Sequence, residues 1–257
     1  MRQSRRLFLV FTIVFLAGFF YSCRVTRHVS ENEYLLNSVH VKVDNNQIDA
    51  GDLNAYIQQK PNRKILHFFK FHLWVYNTFK PKTKERGLFY NIATVVGEEP
   101  VIYDRFLAGK TTRQFQKFLS NRGYYQASVI DSTDINGAKL DLYYIVKTKE
   151  PYVVDSVAYE FADSSIARLI LSDTASGFIK KGVIFDLNHF QKERNRITRQ
   201  MLEAGYYFFR KDFISYEADS TLKSNSVNVS VKVDEFVRKT DKGQVFREKH
   251  RKCYIKD

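Results

Sequence analysis

The side chains that could carry out catalysis fall into no known catalytic pattern. The six histidines form no His-Glu-x-x-His pair, and His67 and His72, five residues apart, do not share a helical face. The sequence has no Gly-x-Ser-x-Gly turn for a nucleophile and no glycine-rich phosphate loop. Asp104 and Asp186 stand where helices should begin, so they are interpreted as helix caps rather than as an acid pair. We therefore expect a chain that is not an enzyme and that holds no cofactor and no metal.

One residue, Cys23, does suggest covalent chemistry. Three arginines precede an apolar run over residues 7–20, which is shorter than the roughly 20 residues that span a bilayer. This pattern predicts an export signal. Cys23 directly follows the small residue Ser22, as in a bacterial lipobox, although Phe20 and Tyr21 are bulkier than usual there. Lipidation of Cys23 and anchoring in the outer membrane are expected, and an uncleaved signal anchor is the alternative.

Composition and charge narrow the class of protein. The 257 residues are 44% hydrophobic, 27% charged and 15% aromatic, which predicts a folded, sheet-rich chain rather than disorder or a membrane bundle. The formal net charge of +13 falls to +10 without the three signal arginines. An exported chain rarely meets nucleic acid, so we expect no nucleic-acid partner. Anionic lipid headgroups are the favoured counter-charge, and a basic surface kept for solubility is the alternative.

An internal repeat with an offset of 82 residues organises the rest of the chain. Residues 102–104 recur as 184–186, and Gly-Tyr-Tyr at 123–125 recurs at 205–207. Between them the period is that of an amphipathic helix, which an aspartate begins and a glycine ends. After each Gly-Tyr-Tyr the period changes to two, and the Asn136-Gly137 pair predicts a hairpin turn.

Each repeat also opens with an alternating strand and a short helix, so the predicted order is β-α-α-β-β, twice. The fold class is α+β, with two helices on a three-stranded mixed sheet in each module. One sheet edge is expected to stay open, and an extended peptide can add to such an edge as a further strand. The strands after Gly-Tyr-Tyr, residues 126–132 and 208–217, are the predicted binding edges, with Val129, Ile130, Phe213 and Ile214 as the residues concerned.

The first repeat carries an insert, residues 60–95, that the second lacks. Its apolar and aromatic side chains are interrupted by basic ones, which suits a segment lying among lipid headgroups. A buried connecting helix or strand explains the same pattern. The residues predicted to contact a membrane or a partner are Phe68, Phe69, Lys70 and Trp74.

Tandem β-α-α-β-β modules with Gly-Tyr-Tyr after the second helix resemble the polypeptide-transport-associated (POTRA) repeats of the BamA/TamA outer-membrane assembly family. The lipobox and the segments 59–65, 71–77 and 100–104 are similar to the lipidated, Bacteroidetes-type member TamL. The resemblance implies a periplasmic region that binds outer-membrane protein clients or a TamB-like partner by strand addition. Family members continue into a membrane barrel, whereas the pattern of alternating barrel strands is not found after residue 237, so the chain is interpreted as a fragment.

These patterns predict a division of the chain into five segments. They are a signal peptide (1–22), a tether (23–34), a first repeat (35–149), a second repeat (150–234), and a linker with the start of a third repeat (235–257). Two other functions stay open. One is a structural scaffold like the single-repeat domain of bitopic FtsQ-like proteins, and the other is a truncated product without a role.

Overall fold

A computed structural model describes residues 25–26, 28–65, 69–79, 88–220, 224–239 and 245–254. The signal peptide and Cys23 lie outside the described residues. The chain divides into two compact units, one of residues 1–115 and 129–146, the other of residues 116–128 and 147–257.

The first repeat has the predicted order, with two added helices from the insert. Its elements are β1 (Leu35–Val43), α1 (Ala50–Asn54), α2 (Phe71–Phe79), α3 (Leu88–Val95), α4 (Arg105–Asn121), β2 (Ser128–Asn136) and β3 (Lys139–Lys147). The sheet order is β1-β3-β2, and β1 runs parallel to the central strand β3. On β3, alternate side chains are buried, because successive residues of a strand point to opposite faces. The buried ones are Leu140, Leu142, Tyr144 and Val146.

The second repeat has the same topology. Its elements are β4 (Val153–Phe161), α5 (Ser164–Leu171), α6 (Leu187–Glu203), β5 (Ile214–Asp219) and β6 (Ser226–Val233). The sheet order is β4-β6-β5, with β4 parallel and β5 antiparallel to the central strand β6. The four valines of β6 point into a core that α5 and α6 complete with Ile166, Ile170, Phe190, Ile197 and Met201. The predicted α+β fold of two such modules is confirmed.

The repeat-equivalent caps behave alike. The Asp104 carboxylate accepts a hydrogen bond from the Phe106 amide at 2.7 Å, and that of Asp186 accepts one from the Asn188 amide at 2.8 Å. Gly123 and Gly205 both have φ of +92°, a left-handed conformation that closes a helix without strain only when Cβ is absent. The predicted helix boundaries are therefore correct in both copies.

The insert folds into α2 and α3, which lie in the first unit. Leu73 and Val75 of α2 and Ala93 of α3 are buried. The Tyr76 hydroxyl donates to the Glu99 carboxylate at 2.9 Å, and the side-chain amide of Asn77 donates to the Val25 carbonyl at 3.0 Å. One side of the insert is therefore part of the fold, as the connecting-helix alternative requires.

The residues after the second repeat form a hairpin of β7 (Phe236–Lys239) and β8 (Val245–Glu248). His250, just beyond it, is buried, and its amide donates to the Asp163 carboxylate at 2.7 Å. This segment belongs to the second unit, a feature that the repeat pattern does not predict.

Candidate functional site

Strand β2 forms one end of the first sheet, and among the described strands it pairs with β3 alone. Its nine residues leave alternate amide and carbonyl groups facing outward, away from β3. Ile130 and Ile135 are 56% and 49% exposed, while Val129 is half-buried. A long, regular edge with exposed β-branched side chains is a template on which another extended chain can pair.

Strand β5 forms the corresponding end of the second sheet, but it is shorter and begins later than predicted. Phe213 lies in a 3-10 turn, where its amide donates to the Arg210 carbonyl and its carbonyl accepts from the Asp234 amide. The Ile214 amide donates to the Lys211 carbonyl. The side chains of Phe213 and Ile214 are both buried. Phe213 therefore does not belong to the edge strand, and the stretch whose amides can pair starts after Ile214.

The opposite ends of the two sheets, β1 and β4, are partly closed. Leu35 of β1 forms an antiparallel bridge with Ile102, and Val153 of β4 forms one with Ile184, the repeat equivalent of Ile102. Both strands also carry a register shift near their beginning, which disrupts regular pairing. Each sheet thus has two end strands, and among the described residues the bridges to a further segment lie on β1 and β4 rather than on β2 and β5.

The helix-free face of the first sheet is polar. The ring of His40 stacks on that of Tyr143 at 5.0 Å, and the Lys42 ammonium lies 5.1 Å from the same ring. Burial raises the pKa of Asp141, but hydrogen bonds donated by Ser38 and Asn37 outweigh it and hold that pKa below its usual value. This face is a set of satisfied polar contacts rather than an apolar docking surface.

The tyrosines of the two Gly-Tyr-Tyr turns divide into two kinds. Tyr124 and Tyr206, the first of each pair, are buried, and their amides bond back to Leu119 and Met201 carbonyls at 2.9 and 3.0 Å. Tyr125 and Tyr207, the second of each pair, are exposed. Packing therefore explains the first tyrosine of each turn, whereas the ring of the second is exposed on the surface.

The predicted membrane-contact residues of the insert have different surroundings. Phe69 and Trp74 are half-buried, with ring centroids 6.4 Å apart, and Phe68 lies outside the described residues. Lys70 is only 6% exposed, and its ammonium lies 3.5 Å from the Leu36 carbonyl. The prediction that Lys70 contacts headgroups needs correction, because the ammonium points into the protein.

Burial has a measurable consequence for Lys70. Desolvation, with the nearby charges of Lys64 and Lys139, lowers its pKa from 10.5 to about 8, although Asp141 and Glu98 oppose the shift. The ammonium form is therefore disfavoured inside the first unit.

Sequence reasoning missed a buried ion pair in the second unit. The Arg196 guanidinium donates to both carboxylate oxygens of Glu193, at 2.7 and 3.2 Å, and to Asp173 at 3.0 Å. Glu193 also accepts from the Phe178 amide and from the Tyr159 hydroxyl. Burial and the Glu193 charge raise the pKa of Tyr159 to about 12. The spacing of Glu193 and Arg196, three residues apart on one helix, was the available signal.

Two further features concern membranes and metals. Among the described residues, every helix is too short or too polar to cross a bilayer. The same residues contain no group of three or more His, Cys, Asp or Glu side chains placed to bind a metal ion.

Among the comparisons with known proteins, only the one with solved structures finds similar proteins. No protein-family model and no curated protein matches the chain. BamA from Haemophilus ducreyi lacking POTRA domains 1–3 is 15% identical, with a TM-score of 0.37 over 79% of this chain and 30% of that chain. BamA POTRA3-5 from Haemophilus influenzae is 15% identical, with a TM-score of 0.31 over 81% of this chain and 100% of that chain.

POTRA1-3 of Omp85 from Anabaena is also 15% identical, with a TM-score of 0.28 over 79% of this chain and 96% of that chain. The chain therefore spans less than a third of the Haemophilus ducreyi BamA chain, and nearly all of the Omp85 fragment.

Proposed function

We propose that the chain is the periplasm-facing, POTRA-like region of an outer-membrane protein assembly factor of the BamA/TamA family. In this proposal it binds extended client chains, or a TamB-like periplasmic partner, by strand addition. The observation that carries the proposal is the nine-residue edge of β2, whose outward amides pair with no other described strand. The exposed Ile130 and Ile135 add apolar contact to main-chain hydrogen bonds.

Two adjacent proline substitutions test the β2 edge. In a strand, the amides of neighbouring residues point in opposite directions, so one of Val129 and Ile130 faces β3 and the other faces outward. Proline removes one amide donor. The outward substitution should block strand addition without changing the stability of the unit, and the inward one should lower that stability.

The readout is photo-crosslinking from benzoylphenylalanine placed at the exposed Ser132, with urea-denatured porin as the client. We expect the outward proline to reduce crosslinking at least fivefold while the urea unfolding midpoint stays unchanged. The inward proline serves as the matched control for damage to the sheet. Undiminished crosslinking in both Val129→Pro and Ile130→Pro would contradict the proposal.

We further propose that Cys23 carries the lipid that anchors this region to the outer membrane. The apolar run before Cys23 and the small residue Ser22 support this assignment. Labelled palmitate should enter the chain and be lost in Cys23→Ala. Retention of an intact amino terminus, with no label, would favour the FtsQ-like scaffold held by residues 7–20.

A further inference from the structure

A cavity of about 270 Å³ lies in the second unit, between the turn that follows α6 and the segment that follows β8. Its floor consists of Tyr206, Phe209 and His250, which are all buried. Phe208 and Phe236 form one wall, with ring centroids 6.5 Å apart in an edge-to-face arrangement. The cavity is thus lined mainly by aromatic rings.

The cavity depends on residues that distinguish the second repeat from the first. At the offset of 82 residues, Phe208 and Phe209 replace Gln126 and Ala127. Phe208 is 65% exposed, so it covers little of the core of its own unit. Together with the aromatic lining of the cavity, this exposed ring forms an apolar surface of the kind that marks an interaction site.

The floor of the cavity is fixed by hydrogen bonds to His250. The His250 amide donates to the Asp163 carboxylate at 2.7 Å, and its Nε2 donates to the Asp234 carbonyl at 2.8 Å. The His250 ring also packs 5.0 Å from the rings of Phe209 and Phe213. The cavity is therefore largely formed before any ligand arrives, which reduces the entropy lost on binding.

The mouth of the cavity is basic. Lys249 and Arg251 line it beside Glu248, whose carboxylate lies 3.5 Å from the Arg251 guanidinium. The Lys252 ammonium lies 5.6 Å from the Tyr206 ring. Residues 245–254 contain four lysines or arginines and a single carboxylate, Glu248. A ligand with negative charge next to its apolar part complements this surface.

We propose that this cavity binds one aromatic side chain of an acidic peptide segment, whose carboxylates contact Lys249 and Arg251. Sites for whole small molecules occupy roughly 300–1,000 Å³, so a cavity below that range suits a single side chain. Aromatic rings prefer the edge-to-face contacts that Phe208 and Phe236 offer. The choice of a polypeptide as the ligand rests on the proposed function, but the cavity is separate from the β2 edge.

The test uses the full chain and a fluorescein-labelled peptide with one central phenylalanine between two pairs of glutamates. Fluorescence anisotropy should show saturable binding that weakens about tenfold in Phe208→Ala. Tyr207→Ala is the matched control, because Tyr207 is a similarly exposed neighbour that does not line the cavity. Equal affinity in Phe208→Ala and the parent chain, or no binding to the parent chain, would overturn the inference.

The charge requirement is tested separately. Lys249→Glu should weaken peptide binding about fivefold, whereas Arg247→Glu makes the same charge change at an exposed position outside the cavity and should have a smaller effect. A peptide whose glutamates are replaced by lysines should not bind. Unchanged affinity in Lys249→Glu would show that the basic mouth does not recognise the ligand.

A lipid surface is the competing occupant. Vesicles of phosphatidylglycerol that bind the parent chain but not Phe208→Ala, with no peptide binding, would reassign the cavity and overturn the inference. Crosslinking to porin at Ser132 is measured in the same variants and should not change in Phe208→Ala. A parent chain that binds no peptide but still crosslinks to porin would therefore show that this inference fails while the proposed function stands.

Discussion

In each of the two units, a side chain of the long helix binds a main-chain amide, but the two side chains differ in charge. In the first, the main-chain amide of Gln58 donates to the Thr111 hydroxyl of α4 at 3.1 Å. In the second, the Phe178 amide donates to the Glu193 carboxylate of α6 at 2.8 Å. Thr111 and Glu193 are separated by the repeat offset of 82 residues. The same helix position thus binds a main-chain amide of the segment that follows the first short helix of each repeat, but the residue that binds it differs in charge.

The charged version requires additional partners. Glu193 is 0% exposed, and a carboxylate removed from water must be paired and hydrogen-bonded. Arg196 supplies the pairing, and Asp173 and Gln200 bind the remaining side of the guanidinium. At the position equivalent to Arg196 the first unit has Gln114, which accepts from the Gln58 side chain at 2.8 Å. The buried carboxylate thus requires a charged partner, whereas the neutral Thr111 hydroxyl accepts from the Gln58 amide and donates to the Leu107 carbonyl.

The largest expected effect comes from breaking that network. Glu193→Ala should lower the free energy of unfolding of the second unit by about 3–5 kcal/mol, because it leaves the Arg196 guanidinium buried without its main partner. Thr111→Ala in the first unit should cost about 1–3 kcal/mol, since it leaves one amide unsatisfied. Urea unfolding of each variant measures both values. Equal losses in the two variants would contradict the comparison.

A second pair of substitutions compares the two helix-ending glycines. Gly123→Ala and Gly205→Ala should each cost about 1–2 kcal/mol, since both glycines have φ of +92°. In Gly123→Ala the new methyl would also lie 2.8 Å from Ile184 Cγ2, which adds about 1–3 kcal/mol of overpacking. The nearest atom at Gly205 is the Cys253 carbonyl oxygen at 3.6 Å, an ordinary contact. Thermal unfolding should rank Gly123→Ala as the more damaging.

The smallest expected effect concerns the buried cation of the first unit. Lys70 has a folded-state pKa of about 8, below the ordinary 10.5, so between these pH values the unfolded chain binds more protons. The free energy of unfolding should therefore rise by about 1–2 kcal/mol between pH 7 and pH 9.5. Lys70→Met should abolish this rise in urea titrations. A rise that persists in Lys70→Met would assign the effect to another group.

Arg196 provides the contrast, because its carboxylate partners act in the opposite direction. Burial lowers the pKa of Arg196, but the hydrogen bonds and charge of Glu193 outweigh burial and raise it above its usual value. Arg196 therefore stays charged across the accessible pH range. The change in the free energy of unfolding between pH 7 and pH 9.5 should therefore come from Lys70, whose pKa burial lowers, rather than from Arg196.

Much of the fold was predictable because its signals are local. The aspartate caps and the two left-handed glycines depend on neighbouring residues only, and they stand where predicted. The turn predicted at Asn136-Gly137 lies one residue later, at 137–138, because Asn136 still belongs to β2. The end strands β2 and β5 also follow from the predicted order of elements. The binding role of their edges stays a prediction.

The remaining features depend on contacts between residues far apart in sequence. The carbonyl of Phe213, which lies in a turn, accepts a hydrogen bond from the Asp234 amide. The Lys70 ammonium is buried beside the Leu36 carbonyl. The hairpin after β6 is attached through Asp163 and His250, which are 87 residues apart. No local period encodes such pairs.

The amino-acid sequence by itself determined the repeat, the order of its elements and the ends of its main helices, because helix caps and turns are short-range interactions. Tertiary structure alone decided where the β5 edge begins, which charges are buried, and where an aromatic cavity forms. Those outcomes depend on exclusion of water by several elements together, and that exclusion exists only after the chain has folded.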